Sequence, residues 1–348
     1  MNILFISNIA TPYQLDMLKK INSCDNTTIF GYFLYSKEAN RKWDLDLPIY
    51  IHIANYSKKL SDYVALYKFI KNNQIDKIII GGYSLPMTFF ITILSKISDL
   101  NIYFWLERPI NEQSGLKYYL KEIYLKIILS KAKKIFAIGK LAVERYSQYH
   151  SRVINLPYNM YLDKFYNIQR EKNSSKKINF LFSGQYINRK NIINTIKAFK
   201  SINNENIVLN LIGGGELQGE VSALIKDDKR IHDIGFVQPS DLVSIYEEND
   251  IFLMPSKHDG WALVINEAMA SSMPVISTDK VGAVVEYIKH KENGFVTSTK
   301  VDSIREGIEF YLENQNYIFA HGIKNKNIIK KSNADVNNAS EFLLENLQ

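Results

Sequence analysis

The sequence has 348 residues, too many for one compact core and enough for two domains. Hydrophobic residues at 46% and charged residues at 23% exclude disordered and fibrous classes. Cys24 is the only cysteine, so an intramolecular disulfide or a cysteine-built metal cluster is excluded. The start, Met1 to Asn8, lacks the basic stretch and small-residue cleavage site of a signal peptide, and a cytoplasmic protein is expected. The formal net charge of +7 is uneven: residues 1–170 carry 23 Lys/Arg against 13 Asp/Glu, and residues 171–348 carry 20 against 23. A basic first half predicts a domain that faces something anionic, whether nucleic acid, a membrane surface or a phosphorylated substrate.

In chain order, apolar runs at 3–7, 28–35, 77–80, 102–106, 134–137 and 153–156 read as strands. Periodic segments such as 14–21 and 60–71 read as the helices between them. Between Lys77 and Lys96 lie 18 uncharged residues, nearly enough for a membrane span. Gly81, Gly82, Ser84 and Pro86 interrupt that run, which reads instead as a buried strand, a turn and a helix. Residues 116–134 read as a helix with Leu116, Tyr119, Leu120, Ile123 and Ile127 on one face. Its six lysines (Lys117, Lys121, Lys126, Lys131, Lys133 and Lys134) stand against Glu122 alone. The stripe faces either the core, with lysines on the wet side, or an anionic membrane.

A break at residues 166–177, polar from Gln169 to Ser175, then interrupts the rhythm, which restarts with strands at 178–183, 208–212, 251–254, 274–277 and 294–296. Helical patterns at 192–201 and 267–271 separate them. The alternation predicts βαβ units and parallel sheets. Residues 1–170 and 171–330 are expected as two α/β domains, with 331–348 as a helix packing back on the first.

The densest chemical signal runs from Asp259-Gly260-Trp261-Ala262-Leu263 to Glu267-Ala268-Met269-Ala270. It follows a strand and enters a helix, where backbone N–H groups and the positive dipole end suit a diphosphate. In open α/β sheets ligands bind at such loops. Asp259 in the loop and Glu267 inside the helix can touch two parts of one extended ligand, such as a sugar and a ribose. Glu267 can also be a first-turn acid that merely favours the dipole. Its apolar neighbours weigh against that, because an unpaired buried carboxylate is costly.

This string resembles the Glu-x7-Glu signature of the retaining glycosyltransferases of family 4. Asp259 stands for the first glutamate, Trp261-Ala262 for Phe-Gly, and Ser272 for a frequent glycine. The resemblance continues through Phe180-Leu181-Phe182-Ser183-Gly184, where Gln185 replaces the usual arginine and Arg189-Lys190 follow. It also covers Gly213-Gly214-Gly215 and Ile234-Gly235-Phe236-Val237. It implies the GT-B fold, with two Rossmann-like parallel-sheet domains facing a cleft. The activity implied is transfer of a sugar from a nucleotide diphosphate sugar to an acceptor hydroxyl with retained configuration, in polysaccharide, lipopolysaccharide or capsule biosynthesis.

The resemblance also assigns roles. Lys190 holds the donor diphosphate and Arg189 compensates for the missing arginine; both, with the N–H groups near Gly260–Leu263, steady the leaving charge. Glu267 holds ribose hydroxyls and Asp259 the donor hexose. Gly184, Gly213, Gly235, Phe236, Val237, Gly260, Trp261, Ala262 and Leu263 line the donor site, with Gly235–Val237 beside the base. Glu107, where the family commonly has a histidine, binds the acceptor or stabilises positive charge on the sugar. Glu107 and Arg108 can equally be a surface pair, and Arg189, Lys190 and Lys197 a solvated helix face.

No cofactor or metal is expected, because these cations replace one. Asp44-Leu45-Asp46 has carboxylate metal spacing without histidine support, and the six histidines show no ligand spacing. His258 either lines its loop or touches substrate. The expected partners are a nucleotide diphosphate sugar, a lipid-linked saccharide acceptor and an anionic membrane surface at the inner face of the plasma membrane. A sugar-nucleotide epimerase of GT-B fold is one alternative. A non-catalytic basic module using Tyr118, Tyr119 and Tyr124 on nucleic acid is the other, though no nucleic-acid motif is present.

Overall fold

The computed structural model describes residues 1–36, 47–83, 86–96, 98–108, 115–170 and 177–348. The Asp44-Leu45-Asp46 spacing and residues 171–175 of the expected linker lie outside them. The chain forms two compact units, Met1–Met160 with Val336–Gln348, and Tyr161–Asp335.

The strands of the first unit are β1 (Asn2–Ser7), β2 (Thr28–Phe33), β3 (Ile51–Ile53), β4 (Lys77–Gly81), β5 (Asn101–Leu106), β6 (Lys134–Ala137) and β7 (Val153–Asn155). They form one sheet in the order β3-β2-β1-β4-β5-β6-β7, parallel throughout. The central strands are continuous apolar runs because helices bury both their faces. On one face lie α2 (Leu60–Asn72), α3 (Pro86–Leu94), α4 (Leu116–Leu129) and α5 (Lys140–Tyr146), all following α1 (Pro12–Asn22) in the chain. Leu66 and Ile70 of α2, Met87 and Ile91 of α3, and Leu125 and Ile128 of α4 share one buried cluster with Ile78, Ile80, Phe104 and Leu106.

The second unit holds α6 (Asp163–Tyr166), β8 (Ile178–Gln185), α7 (Ile192–Lys200), β9 (Ile207–Gly214), α8 (Gln218–Ile225) and β10 (Ile231–Gly235). After these come α9 (Leu242–Glu247), β11 (Ile251–Met254), α10 (Leu263–Ala270), β12 (Val275–Thr278), α11 (Gly282–Tyr287), β13 (Gly294–Thr297), α12 (Val301–Glu313) and α13 (Asn316–Lys330). Its sheet runs β10-β9-β8-β11-β12-β13, again parallel.

Two expectations need correction. The helix expected over 116–134 ends at Leu129, and Lys134 opens β6 instead, so Lys131, Lys133 and Lys134 lie beyond it. Its stripe of Leu116, Tyr119, Leu120, Ile123 and Ile127 does not face the core: all five are exposed, and Leu125, Ile128 and Leu129 make the buried face. Short apolar stripes at helical spacing can occupy either side, and only the neighbouring elements decide which. No helix among the described residues is long and apolar enough to cross a membrane.

The last helix, α14 (Val336–Leu347), packs on α1 in the first unit. Its final carbonyls, orphaned by helix geometry, find donors at the sheet. Lys77 Nζ donates to the Leu347 carbonyl, Lys134 Nζ to that of Asn346 at 2.8 Å, and the Tyr103 hydroxyl to Leu347 at 3.2 Å. Cations at a helix carboxyl end also meet the negative end of its dipole. Replacing Lys134 by Met is expected to lower stability by about 1 kcal/mol, measured by urea denaturation.

Candidate active site

In the second sheet β8 is followed by β9 on one side and flanked by β11 on the other, so the strand order reverses between β8 and β11. Loops that leave neighbouring strands in opposite directions open a crevice at their carboxyl ends. Both loops carry the charged residues singled out by the sequence. After β8 the chain makes a single 3₁₀ turn, Asn188–Lys190, and the loop after β11 leads to α10. The two loops are tied together by Lys257 N–H donating to the Arg189 carbonyl at 2.9 Å and Asn191 Nδ2 donating to Pro255 at 3.0 Å.

There Lys190 Nζ donates to Asp259 Oδ2, and Arg189 Nη1 reaches the same oxygen at 3.4 Å and the His258 carbonyl at 3.0 Å. Asp259 Oδ1 accepts from Trp261 N–H at 3.3 Å. Its own N–H donates to Lys280 at 3.0 Å and its carbonyl accepts from Gly282 at 3.1 Å, so the carboxylate is fixed from both sides. Lys190 is largely buried and Arg189 half-exposed, while Lys197 is exposed. A solvated helix face therefore describes Lys197 and not Lys190. An incoming phosphate would find two cations already gathered, with Asp259 as the anion it competes against.

Close backbone approaches shape the rim. A Cβ on Gly213 would lie 1.9 Å from the Gly184 carbonyl oxygen, at a φ of +138°. A Cβ on Gly282 would lie 2.1 Å from the Gly260 oxygen, so only glycine lets α11 start against the Asp259 loop. Gly184 lies beside the Lys190 stem. At the far edge Asp233 accepts from the Tyr186 hydroxyl at 2.8 Å, from Gln218 at 2.6 Å and from Gly235 N–H at 3.1 Å. The chain then turns at Gly235, leaving Val237 half-buried and Phe236 74% exposed.

Ala262, at the start of α10, has φ +71°, a left-handed conformation that costs a residue with a Cβ roughly 1 kcal/mol. Trp261 is buried with its edge to Tyr287 at 5.7 Å, and its indole N–H has no partner among the described residues. Glu267 is buried one turn into α10, below Leu263. Tyr246 donates its hydroxyl to Oε2 at 2.7 Å. Burial pushes the Glu267 carboxyl up; the Tyr246 hydroxyl and the charge of Lys164 pull the other way without cancelling it.

Two residues behind Glu267 escaped the sequence reading. Tyr246 is one, on α9. The other is Arg170, which sequence places in a polar linker but which is half-buried here. It donates to the carbonyls of Ser271 and Asn249 at 2.6 Å and of Tyr246 at 2.7 Å. Those carbonyls lie just beyond α10, just beyond α9 and within α9. Burial pulls its pKa down to about 10. No local pattern marks such a cation, because its partners are backbone groups far along the chain.

Glu107 belongs to the first unit, at the end of β5, and is not among these groups. Its carbonyl accepts from Tyr146 at 2.7 Å, and its carboxylate lies by the buried hydroxyl of Tyr158, whose pKa burial raises first and Tyr13 and Glu107 raise further.

The architecture is that of GT-B proteins. HepE of Anabaena, solved with UDP, superposes with a TM-score of 0.81 at 14% identity, covering 100% of this chain and 99% of that one; its UDP-glucose complex gives 0.75. Residues 163–334, which make up nearly all of the second unit, match the family model described as Glycosyl transferases group 1. An uncharacterized glycosyltransferase of Methanocaldococcus jannaschii is 31% identical over 134 residues, 37% of this chain and 34% of that protein. One of Haemophilus influenzae is 29% identical over 108 residues, 30% and 31% respectively. The chain thus spans about a third of the length of these curated relatives.

Two stability outcomes follow from the geometry. Ala262→Gly is expected to leave the fold intact and gain up to roughly 1 kcal/mol, as relief of the left-handed strain outweighs added chain entropy. For Glu267, the folded state keeps its proton at pH values where the unfolded chain has lost it. Wild-type stability is therefore expected to fall as pH rises above the ordinary carboxyl value of 4.5, until the raised folded value is passed. Glu267→Gln should lack that decline, as denaturation at pH 4.5 and at neutral pH can check.

Proposed function

We propose that the protein transfers a sugar from a nucleotide diphosphate sugar to an acceptor hydroxyl with retention of configuration. The observation that carries the reading is the convergence of Lys190 and Arg189 on Asp259 at the strand-order reversal of a Glycosyl transferases group 1 domain. In the reaction the bond from the anomeric carbon to the diphosphate oxygen breaks, and its electron pair leaves with the diphosphate. The acceptor oxygen bonds to the same carbon from the same face, and its proton passes to a diphosphate oxygen. Lys190 and Arg189 stabilise the departing charge, which grows as that bond breaks. Asp259, displaced from its cations, holds donor hexose hydroxyls. Glu267, steadied by Tyr246, accepts from the ribose, while the exposed Phe236 ring offers a face to the base. Glu107 serves the acceptor side.

The family match favours transfer over epimerisation and over a non-catalytic module. UDP and UDP-glucose bound to HepE make uridine diphosphate sugars the first donors to test. The acceptor we propose is a lipid-linked saccharide of polysaccharide, lipopolysaccharide or capsule synthesis, met at an anionic membrane on its cytoplasmic side. Neither a metal nor another cofactor is needed for the charge on the diphosphate.

Lys190→Ala is expected to cost roughly 2–4 kcal/mol of transition-state stabilisation, read as a fall of about 30- to 1,000-fold in kcat/KM for nucleotide release. Unchanged turnover with unchanged donor affinity would remove Lys190 from the site. A donor at a hundred times its dissociation constant should add about 2.7 kcal/mol of stability, so thermal shifts across nucleotide sugars identify the base and sugar. Wild-type turnover in Glu267→Gln would sink its role at the ribose.

A further inference from the structure

The first unit presents an apolar and cationic surface on three consecutive helices. Beyond the residues that α2, α3 and α4 bury in their common cluster, each helix turns large apolar side chains outward. From α2 come Leu60, 79% exposed, with Val64 and Tyr67; from α3 come Phe89 and Ile93. From α4 comes the full stripe that begins at Leu116, 76% exposed, and ends at Ile127. The helices are contiguous: Tyr63 of α2 meets Phe90 of α3 with ring centroids 5.2 Å apart, and α3 packs on α4. Apolar patches of this extent on three neighbouring helices are uncommon on a monomer with no partner.

Charge says which partner. Exposed lysines stand among and beside these residues: Lys59, Lys68, Lys71, Lys96, Lys117 and Lys126. The only acids on the three helices are Asp62 and Glu122. Asp62 accepts from the N–H groups of Ser57 at 2.9 Å and Lys59 at 3.0 Å, while Glu122 accepts from Arg145 and Tyr149. Both acids are thereby engaged, and the cations set the sign of the surface. A second copy docked by two-fold symmetry would set these lysines against their own kind. A nucleic acid would match the lysines but leave the aliphatic stripe in water. An anionic bilayer takes both, with aliphatic and aromatic groups entering the headgroup boundary and lysines meeting lipid phosphates.

We propose that α2, α3 and α4 together form a single docking face for an anionic lipid surface. This deepens the membrane-held acceptor of the reading above by assigning the surface that meets the lipid, and its test does not require turnover.

The measurement is co-sedimentation of the full chain with vesicles of phosphatidylcholine alone or mixed with phosphatidylglycerol. Wild type is expected to bind the mixed vesicles at low salt, to bind the neutral ones weakly, and to be released in part by high salt. Leu116→Ser/Leu120→Ser/Ile123→Ser and Leu60→Ser/Phe89→Ser/Ile93→Ser should each lower partitioning about tenfold or more. Their melting temperatures should stay near wild type, since these side chains are exposed. Lys68→Gln/Lys71→Gln/Lys117→Gln/Lys126→Gln should abolish the preference for phosphatidylglycerol. Equal binding to both vesicle types, no binding at all, or full binding by either serine variant overturns the proposal. So does a dimer in light scattering that both serine variants dissociate, which would give the face to a second copy. A chain that binds vesicles but processes no nucleotide sugar keeps this face and loses the transferase reading. Turnover on a soluble acceptor without vesicle binding does the reverse.

Discussion

A parallel sheet cannot turn straight back on itself; each strand must be followed by a crossover that returns the chain to the same starting edge. Every carboxyl-end loop therefore emerges on one side, and where strand order reverses, two of them diverge around an opening. The second unit gathers charge at its opening: the turn after β8 supplies Arg189 and Lys190, and the loop after β11 supplies Asp259. Glycines at 213 and 282 follow from the same constraint, since they let neighbouring loops approach closer than a Cβ allows.

Behind the opening, a half-buried cation and a buried carboxyl are held by unlike means. Arg170 has carbonyl oxygens for partners, and three hydrogen bonds to a cation at about 1.5–3 kcal/mol each can offset a desolvation cost of several kcal/mol. Two of these carbonyls, those of Asn249 and Ser271, lie just past helix ends whose dipoles point negative charge at the guanidinium. Glu267 has a single hydroxyl donor, and burial prevails over it. A carboxyl whose proton affinity burial raises is a common feature of functional clefts. Through the Tyr246 backbone, Arg170 anchors the segment whose hydroxyl meets that carboxyl, so the cation helps to position the acid.

Much of this was legible in the sequence. The strands at 3–7, 77–80, 102–106 and 251–254 are visible as apolar runs because they are buried on both faces. The strands β3 and β10 were not, for a physical reason: both lie at sheet edges, where Ile51-His52-Ile53 and Ile231-His232-Asp233 expose polar side chains and break the run. Sequence singled out Lys190, Asp259 and Glu267 through their motif, yet gave no sign that Arg189 reaches Asp259. That contact depends on how two loops about 70 residues apart cross. The side to which the α4 stripe turns was equally hidden, because amphipathic spacing defines a stripe without saying what covers it.

The first unit is discontinuous: its sheet is made from residues before 160, yet α14, which packs on α1 and accepts from Lys77, Tyr103 and Lys134, begins at Val336. On the ribosome the usual order of domain maturation is therefore inverted. The second unit has all of its chain while the first still lacks a helix, and the α1 surface that α14 covers stays open to solvent throughout. A nascent chain has to keep that apolar surface out of wrong contacts for the whole time needed to make the second unit. The helix α14 therefore completes a unit whose sheet lies wholly before residue 160, and a chain stopped before Val336 would leave bare the side of α1 that α14 covers.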